Sequence, residues 1–335
     1  MSKKILLITT GGTIASDITE RGLEPKLSPK ELVSYLPNID ECEITTLPIC
    51  NIDSTNVTQN EWQLMSTTIE KHYEEFDGFV IAHGTDTLAY SACALSYMIQ
   101  NPDKPIVLTG AQKPIHFDST DAKRNLADSI IYACKSEVAG VVIIFDGEVI
   151  AGTRGKKMKT KSFHAFSSIN YPCIAKMRDD RIIRYIPALR PTQKIKFWHK
   201  MSKRVFLLKL IPGLSGSIIE YALANYDCLI LESFGVGGVP DGIVEQLKKE
   251  QQKYKKEDKI LIIATQVIEE ESDSSIYAVG KTLSQNFDYL EMMDMTLEAV
   301  TTKMMWILSQ KGLSWEAQKE LFYKPINHDM VEGIR

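Results

Sequence analysis

Lys4-Ile5-Leu6-Leu7-Ile8-Thr9-Thr10-Gly11-Gly12-Thr13-Ile14-Ala15-Ser16 is a short apolar run that stops in a loop of glycines and hydroxyls. Four apolar residues in a row, bounded by a turn signal, suit a strand buried on both faces. The same grammar recurs along the chain. Residues 78–82 end in His83-Gly84, residues 105–109 in Gly110, and residues 140–145 in Asp146-Gly147. Between these runs, residues 60–76, 88–100 and 122–135 are long enough for helices. Short buried strands alternating with helices predict a parallel α/β sheet.

Working outward, residues 188–204 form a composition break that is basic and carries Pro191. The alternation then resumes. Residues 205–210, 228–232 and 259–265 read as strands, and residues 241–256 and 295–310 as helices. The expected fold is therefore two α/β domains, a larger N-terminal parallel-sheet domain over residues 1–190 and a smaller C-terminal one over 205–335, joined by a linker at 191–204. A length of 335 residues agrees with two cores rather than one.

The balance of 44% hydrophobic and 24% charged residues is that of a globular protein. A net charge of −4 gives no footprint for nucleic acid, and Phe197 and Trp198 among the lysines of the linker read as aromatics docked on a domain. The six cysteines form no C-x-x-C pair and the six histidines no H-E-x-x-H, so neither a disulfide framework nor a metal is implied. The N-terminal apolar run is too short for a secretion signal, whose core needs about 7–15 residues. No stretch reaches the roughly 18 apolar residues of a membrane span. These features predict a cytoplasmic protein with all six thiols reduced.

In open α/β sheets, ligands bind outside the carboxyl ends of the strands. That places Thr9-Thr10-Gly11-Gly12-Thr13 and His83-Gly84-Thr85-Asp86-Thr87 at the expected site, where glycine lets backbone N–H groups approach a ligand closely. A plain structural reading competes, since Asp86 or Thr87 could simply cap the helix that follows. Phosphate cradles fit poorly. Gly235-Val236-Gly237-Gly238 lacks a third glycine, and Gly280-Lys281-Thr282 has Ser275 where a P-loop needs its first. Gly213-Leu214-Ser215-Gly216-Ser217 is out of register for a nucleophile elbow. Two threonines, an aspartate and a lysine, by contrast, suffice for amide hydrolysis. A threonine hydroxyl needs a base or proton relay, and a lysine partly neutralised by burial or by neighbouring cations can serve. Residues 152–170 supply an unusual density of lysines.

TTGGTIAS at 9–16 and HGTDT at 83–87, in that order and each after a strand, resemble the two signatures of the bacterial-type L-asparaginases. NIDST at 51–55, TGAQKP at 109–114, the K-x-x-T segment with AF and N at 157–170, and ESFGVGGVPDG at 232–242 extend the similarity over nearly the whole chain. NIDS and MTLEA at 295–299 look most like the cytoplasmic type I branch. The resemblance implies that Thr13 is the nucleophile of a covalent acyl-enzyme and that Thr85, Asp86 and Lys157 form the second catalytic group. It further implies that Asp86 binds the substrate α-amino group, that Ser54 binds the α-carboxylate with Thr55 beside it, and that backbone near Gly12, Gly84, Thr85 and Ala111 holds the amide and the oxyanion.

No cofactor is implied, and the expected substrate is L-asparagine, taken up by a homodimer or homotetramer. In two places the sequence departs from that family's pattern. Residues 17–27 carry no tyrosine, which many relatives place in the loop after the nucleophile. An acidic run, Glu269-Glu270-Glu271, stands where some type I relatives have an effector-site cysteine. Rival readings are a broader glutaminase-asparaginase, a tRNA-dependent amidotransferase subunit, which carries an extra N-terminal domain, and an asparagine sensor without turnover.

Overall fold

The structure, a computed structural model, describes all residues except 1, 20–21, 38, 40, 137–138, 188–190, 257–258, 275–286, 332 and 334–335, together with the side chains of 18–19, 22–25 and 252–256. Ser275 and Gly280-Lys281-Thr282 lie outside the described residues. The chain divides into two compact units, one of Met1–Lys200 with Ile326–His328 and one of Met201–Pro325 with Asp329–Arg335.

Unit 1 opens with β1 (Lys3–Gly11), the hairpin of β2 (Ser16–Thr19) and β3 (Gly22–Pro25), α1 (Pro29–Ser34) and β4 (Cys42–Ile52). Helix α2 (Gln59–His72) leads to β5 (Gly78–Ala82), α3 (Leu88–Met98), β6 (Ile99–Gln100) and β7 (Pro105–Thr109). After α4 (Ala122–Lys135) come β8 (Gly140–Phe145), β9 (Glu148–Ala151), β10 (Gly155–Lys157), β11 (Phe166–Ser168), β12 (Ala175–Arg178), β13 (Arg181–Arg184) and β14 (Lys196–Phe197).

Eight of these strands form one sheet in the order β13-β12-β9-β8-β7-β5-β1-β4. The run β8-β7-β5-β1-β4 is parallel throughout, while β9, β12 and β13 are antiparallel additions at one edge. Every residue of β5 and β7 is buried, which is why those strands read as unbroken apolar runs. Helix α3 is likewise apolar nearly all round, and every residue from Leu88 to Met98 except Tyr90 is buried. Helix α2 starts on a capping box in which Thr58 and Glu61 satisfy each other's backbone N–H groups.

Part of the basic stretch read as a linker is strand β14, which pairs with β6. Phe197 packs edge-on against Tyr73, with ring centroids 5.7 Å apart. His199 sits between Ser66 and Glu70, 3.2 and 2.7 Å away. The six cysteines are not all thiols, contrary to the expectation from their scatter along the sequence. Cys42 of β4 and Cys134 of α4 are paired as a disulfide, their Cα atoms 6.2 Å apart, and the other four cysteines are free. Ninety-two residues separate the two along the chain, so no local spacing announces them.

Unit 2 holds a four-stranded parallel sheet, β15 (Val205–Lys209), β16 (Cys228–Ser233), β17 (Ile260–Thr265) and β18 (Tyr289–Glu291), in that order. With it go α5 (Ser217–Asn225), α6 (Asp241–Lys256), α7 (Leu297–Leu308) and α8 (Trp315–Tyr323). Leu229, Leu231, Leu261 and Ile263 from the strands meet Ile219, Leu223, Ile243 and Leu247 from the helices in its own core. No helix among the described residues is long and apolar enough to cross a membrane.

Within unit 2, Lys303 of α7 and Asp329 form an ion pair of 2.7 Å with both side chains fully buried. The ammonium also donates to the Lys324 carbonyl, at 2.8 Å. Removing one partner leaves a buried charge uncompensated, at a cost of about 3–5 kcal/mol. Lys303→Met should therefore lower the unfolding free energy from urea titration by about 3–5 kcal/mol, and Lys303→Met with Asp329→Leu should recover most of the loss.

Candidate active site

The site is assembled by three loops at the carboxyl ends of adjacent strands in unit 1, those after β1, β4 and β5. Gly12 leaves β1 with φ +78°, a conformation that favours glycine. Its Cα hydrogens face the next loop so closely that a Cβ there would lie 2.5 Å from the Gly84 Cα. A Cβ on Gly84 would in turn lie 2.6 Å from the Ser54 Oγ. Backbone at 12 and 84 and the side chain of Ser54, from the loops after three strands, are thus packed too closely for any side chain at 12 or 84.

Thr13 begins a short 3-10 turn, Thr13–Ala15. The Gly12 carbonyl that starts the turn accepts from Ala15 N at 3.2 Å and from Ser16 Oγ at 2.9 Å. Among the described residues the Thr13 hydroxyl has no hydrogen-bond partner. Gly12 N–H is already given to the Ile52 carbonyl, at 3.2 Å, so it is not a spare donor for a ligand.

After β5, neither candidate cap acts as one. Thr87 stands at the N-cap of α3 without a side-chain cap bond. Its hydroxyl donates instead to the Ser54 carbonyl at 2.7 Å, and Asp86 N donates to Ser54 Oγ at 3.3 Å. The Asp86 carboxylate faces Lys157, whose Nζ donates to Asp86 Oδ1 at 2.5 Å and to Thr85 Oγ1 at 2.8 Å. Asp86 is more than half exposed, so the pair is screened and counts for orientation rather than stability.

Lys157 ends β10, opposite Phe166 of β11. The buried Phe166 ring packs on Phe145, with centroids 4.9 Å apart, and so fixes the register of this hairpin. Arg154, three residues earlier, turns away into the core. Its guanidinium donates to the His328 carbonyl and lies over the Tyr171 ring, 5.5 Å from the centroid.

Gly12, Thr13, Ser16, Asp53, Ser54, Gly84, Thr85 and Asp86 line one polar cleft with about 410 Å³ of free space, open to solvent. Of the residues singled out in the sequence, Thr13, Thr85, Asp86, Ser54, Gly12 and Gly84 meet there, and Lys157 reaches it through Thr85 and Asp86. Thr55 is exposed and does not line the cleft. Its N–H and hydroxyl both go to Asp53 Oδ1, at 2.8 and 2.9 Å. Ala111 is buried behind the loop after β7.

Sequence reasoning passed over Asp53 and Ser16, which line the cleft, and Gln112, which ties the lysine hairpin down. Gln112 Nε2 donates to the Lys159 and Ser162 carbonyls at 3.1 and 3.3 Å, and its Oε1 lies 3.5 Å from Thr85 Oγ1. The signal for Asp53 was its place one residue before Ser54 in a loop that already held a candidate. Among the described residues no group of three His, Cys, Asp or Glu could hold a metal.

An unpaired hydroxyl beside a hydroxyl–amine–carboxylate chain is equipped for acyl transfer. Known proteins share the framework of this chain. The family model described as "Asparaginase, N-terminal" matches residues 4–189, and "Glutaminase/Asparaginase C-terminal domain" matches 204–322. The L-asparaginase of Thermococcus kodakarensis is 35% identical over 311 residues, covering 91% of this chain and 92% of that protein. Its solved structure superposes with a TM-score of 0.90 at 32% identity, over 98% of this chain and 99% of the other. L-asparaginase I of Vibrio cholerae superposes with a TM-score of 0.84 at 28% identity, over 99% and 100%. A glutamyl-tRNA(Gln) amidotransferase component of Methanosphaera stadtmanae is 32% identical over 329 residues, 92% of this chain and 72% of that protein. The chain belongs to the asparaginase family of amide-hydrolysing enzymes.

Proposed function

We propose that the chain is an L-asparaginase, hydrolysing L-asparagine to L-aspartate and ammonia through an ester on Thr13. The observation that carries this reading is the meeting, in one cleft, of an unpartnered Thr13 hydroxyl with Thr85 and Asp86, both of which accept from Lys157 Nζ. Thr13 Oγ1 attacks the side-chain amide carbon, and its proton passes to the relay of Thr85 and Lys157. The C–N bond breaks as the relay returns the proton to nitrogen, so ammonia leaves and the aspartyl ester remains. Water then attacks the ester carbon, and Thr13 recovers its proton as aspartate departs. Asp86 is suited to the substrate α-amino group by its charge, and Ser54, whose Oγ already accepts from Asp86 N, has its hydroxyl hydrogen left for the α-carboxylate.

Glutamine differs from asparagine by one methylene, a difference worth about 1–3 kcal/mol in a tailored pocket. Ammonia release should therefore favour asparagine by about 10- to 200-fold in kcat/KM, with glutamine turnover detectable at high concentration. Equal kcat/KM for the two amides would make the protein a glutaminase-asparaginase. A role as an amidotransferase component is the second reading, favoured by the relative of that name. Free ammonia released without any tRNA supports the first reading, and release only in the presence of glutamyl-tRNA the second.

The proposal includes the division into a catalytic domain of residues 1–190, a linker and a domain of residues 205–335, assembly as a homodimer or homotetramer, and a cytoplasmic location. The NIDS and MTLEA motifs, which look most like the cytoplasmic type I branch, support that location, whereas the Cys42–Cys134 pair is the feature that speaks for an oxidising one. Alkylating the thiols before lysis decides between them. Cys50, Cys93, Cys173 and Cys228, which are free in the structure, should be alkylated in either compartment. Alkylation of Cys42 and Cys134 as well, so that their bond closes only after lysis, is the result the location requires, and a bond already closed in the cell would overturn it.

A further inference from the structure

Outside the chain of groups used above, unit 1 buries one more titratable side chain against the site, His83. The ring is fully buried between β5 and the loop that carries Thr85. Its Nδ1 lies 2.7 Å from the Gly84 carbonyl oxygen and its Nε2 lies 2.9 Å from Ser91 Oγ on α3. Ser91 Oγ also receives the indole N–H of Trp62 on α2, at 2.9 Å. Ser91 is fully buried and Trp62 nearly so.

These contacts admit one set of directions. A carbonyl oxygen only accepts, so the hydrogen between His83 and Gly84 sits on Nδ1. A fully buried ring with no carboxylate bonded to it stays neutral, so Nε2 keeps its lone pair and takes the Ser91 hydroxyl hydrogen, while Ser91 accepts the indole N–H of Trp62, which only donates. The ring is therefore the neutral Nδ1–H tautomer, in keeping with burial, which pushes the imidazolium down to about 4. Every polar atom of the chain from Trp62 to Gly84 is satisfied.

The Gly84–Thr85 peptide is trans, like every other peptide bond described. In a trans peptide the N–H points opposite to the C=O. With the Gly84 carbonyl drawn onto His83 in the core, the Thr85 N–H points the other way, and no described residue accepts it. Gly84 and Thr85 both line the cleft. A peptide that follows glycine is the easiest in the loop to flip, because glycine gives up little when its ψ turns. Holding its orientation requires a clamp.

We propose that His83 is that clamp, a positioning residue that aims the Thr85 N–H into the cleft, where it donates to the oxyanion formed when the substrate carbonyl is attacked. Ser91 and Trp62 hold the imidazole in the tautomer the clamp needs. The inference rests on the amide-hydrolysis reading of this cleft, but the clamp itself is a property of the resting protein and can be tested apart from it.

Two substitutions separate the clamp from simple packing. The amide nitrogen of asparagine falls near the place of Nδ1 and can still donate to the Gly84 carbonyl. That of glutamine falls near Nε2 and keeps only the Ser91 side. His83→Gln should lower kcat for asparagine by about 10- to 100-fold, short of the 10²–10³ typical of deleting an oxyanion donor outright. KM should stay within about threefold, because the donor serves the transition state more than the bound substrate. His83→Asn should stay within about fivefold of wild-type kcat. Ser91→Ala, which frees the ring to change tautomer, should lower kcat about 3- to 10-fold at unchanged KM. Equal kcat for the Gln and Asn variants, a loss confined to KM, or wild-type kcat in Ser91→Ala would each overturn the proposal. The histidine-15N spectrum of the wild-type protein reads the tautomer whether or not a variant folds. An Nδ1–H ring at His83 is expected, and an Nε2–H ring would overturn the clamp. Absence of ammonia release by the wild type would instead sink the proposed function, leaving the tautomer result standing.

Discussion

Thr13→Val is expected to lower kcat for asparagine by about 10^4-fold or more, with little change in stability. Removing a nucleophilic oxygen leaves nothing else to form the ester, and nucleophile deletions in hydrolases cost on this scale. Valine keeps the shape of threonine, and the hydroxyl it removes has no described partner, so no buried group is left unpaired. The thermal transition should therefore stay close to that of wild type, within about 1 kcal/mol. Near-normal ammonia release by this variant would move the chemistry to Thr85.

The second large effect is expected at Lys157. Lys157→Met keeps the stem and removes the amine that bridges Thr85 and Asp86. Loss of a proton relay costs about 10^2- to 10^4-fold in kcat. Lys156→Met, Lys159→Met and Lys161→Met should each change kcat by no more than a factor of about 3, since it is Lys157 that bonds Thr85 and Asp86. Lys159 and Lys161 are exposed, and Gln112 holds Lys159 by its carbonyl rather than its side chain. Single-turnover kinetics with asparagine compare the four. An active Lys157→Met beside a dead neighbour would mean that the register of the β10–β11 hairpin has been misassigned.

The parallel core of unit 1 was legible because burial on both faces leaves only apolar residues, so β1, β5, β7 and β8 stand out as runs closed by glycine. The antiparallel edge was not. Strands β12 and β13 have only four residues each and carry Lys176, Arg178, Arg181 and Arg184, because this end of the sheet, with β13 at its edge, meets solvent. Strand β18, three residues long, and helix α8 escaped notice in unit 2 for want of length and contrast.

At the site, sequence motifs singled out the hydroxyls but not what holds them. Gln112 and Asn125 act through contacts with residues far along the chain. Asn125 Nδ2 donates to the Gly110 carbonyl at 2.9 Å while its Oδ1 accepts from Asp146 N at 2.9 Å. Thr55 was placed in the site by its neighbour Ser54, whereas the structure turns its hydroxyl back onto Asp53. Local sequence cannot decide between those two directions, because an aspartate two residues upstream competes for the hydroxyl only once the backbone has turned.

Every step of the proposed hydrolysis passes through an ester on Thr13, which forms during turnover. Mixing the Lys157→Met protein with excess asparagine, quenching in acid and mapping the peptides by mass spectrometry tests it most directly, since a crippled relay slows the hydrolysis that would otherwise clear the ester. A mass increase of one aspartyl group on the peptide of residues 5–21, localised to Thr13, is the predicted result. The same adduct on Thr85, with none on Thr13, would contradict the account.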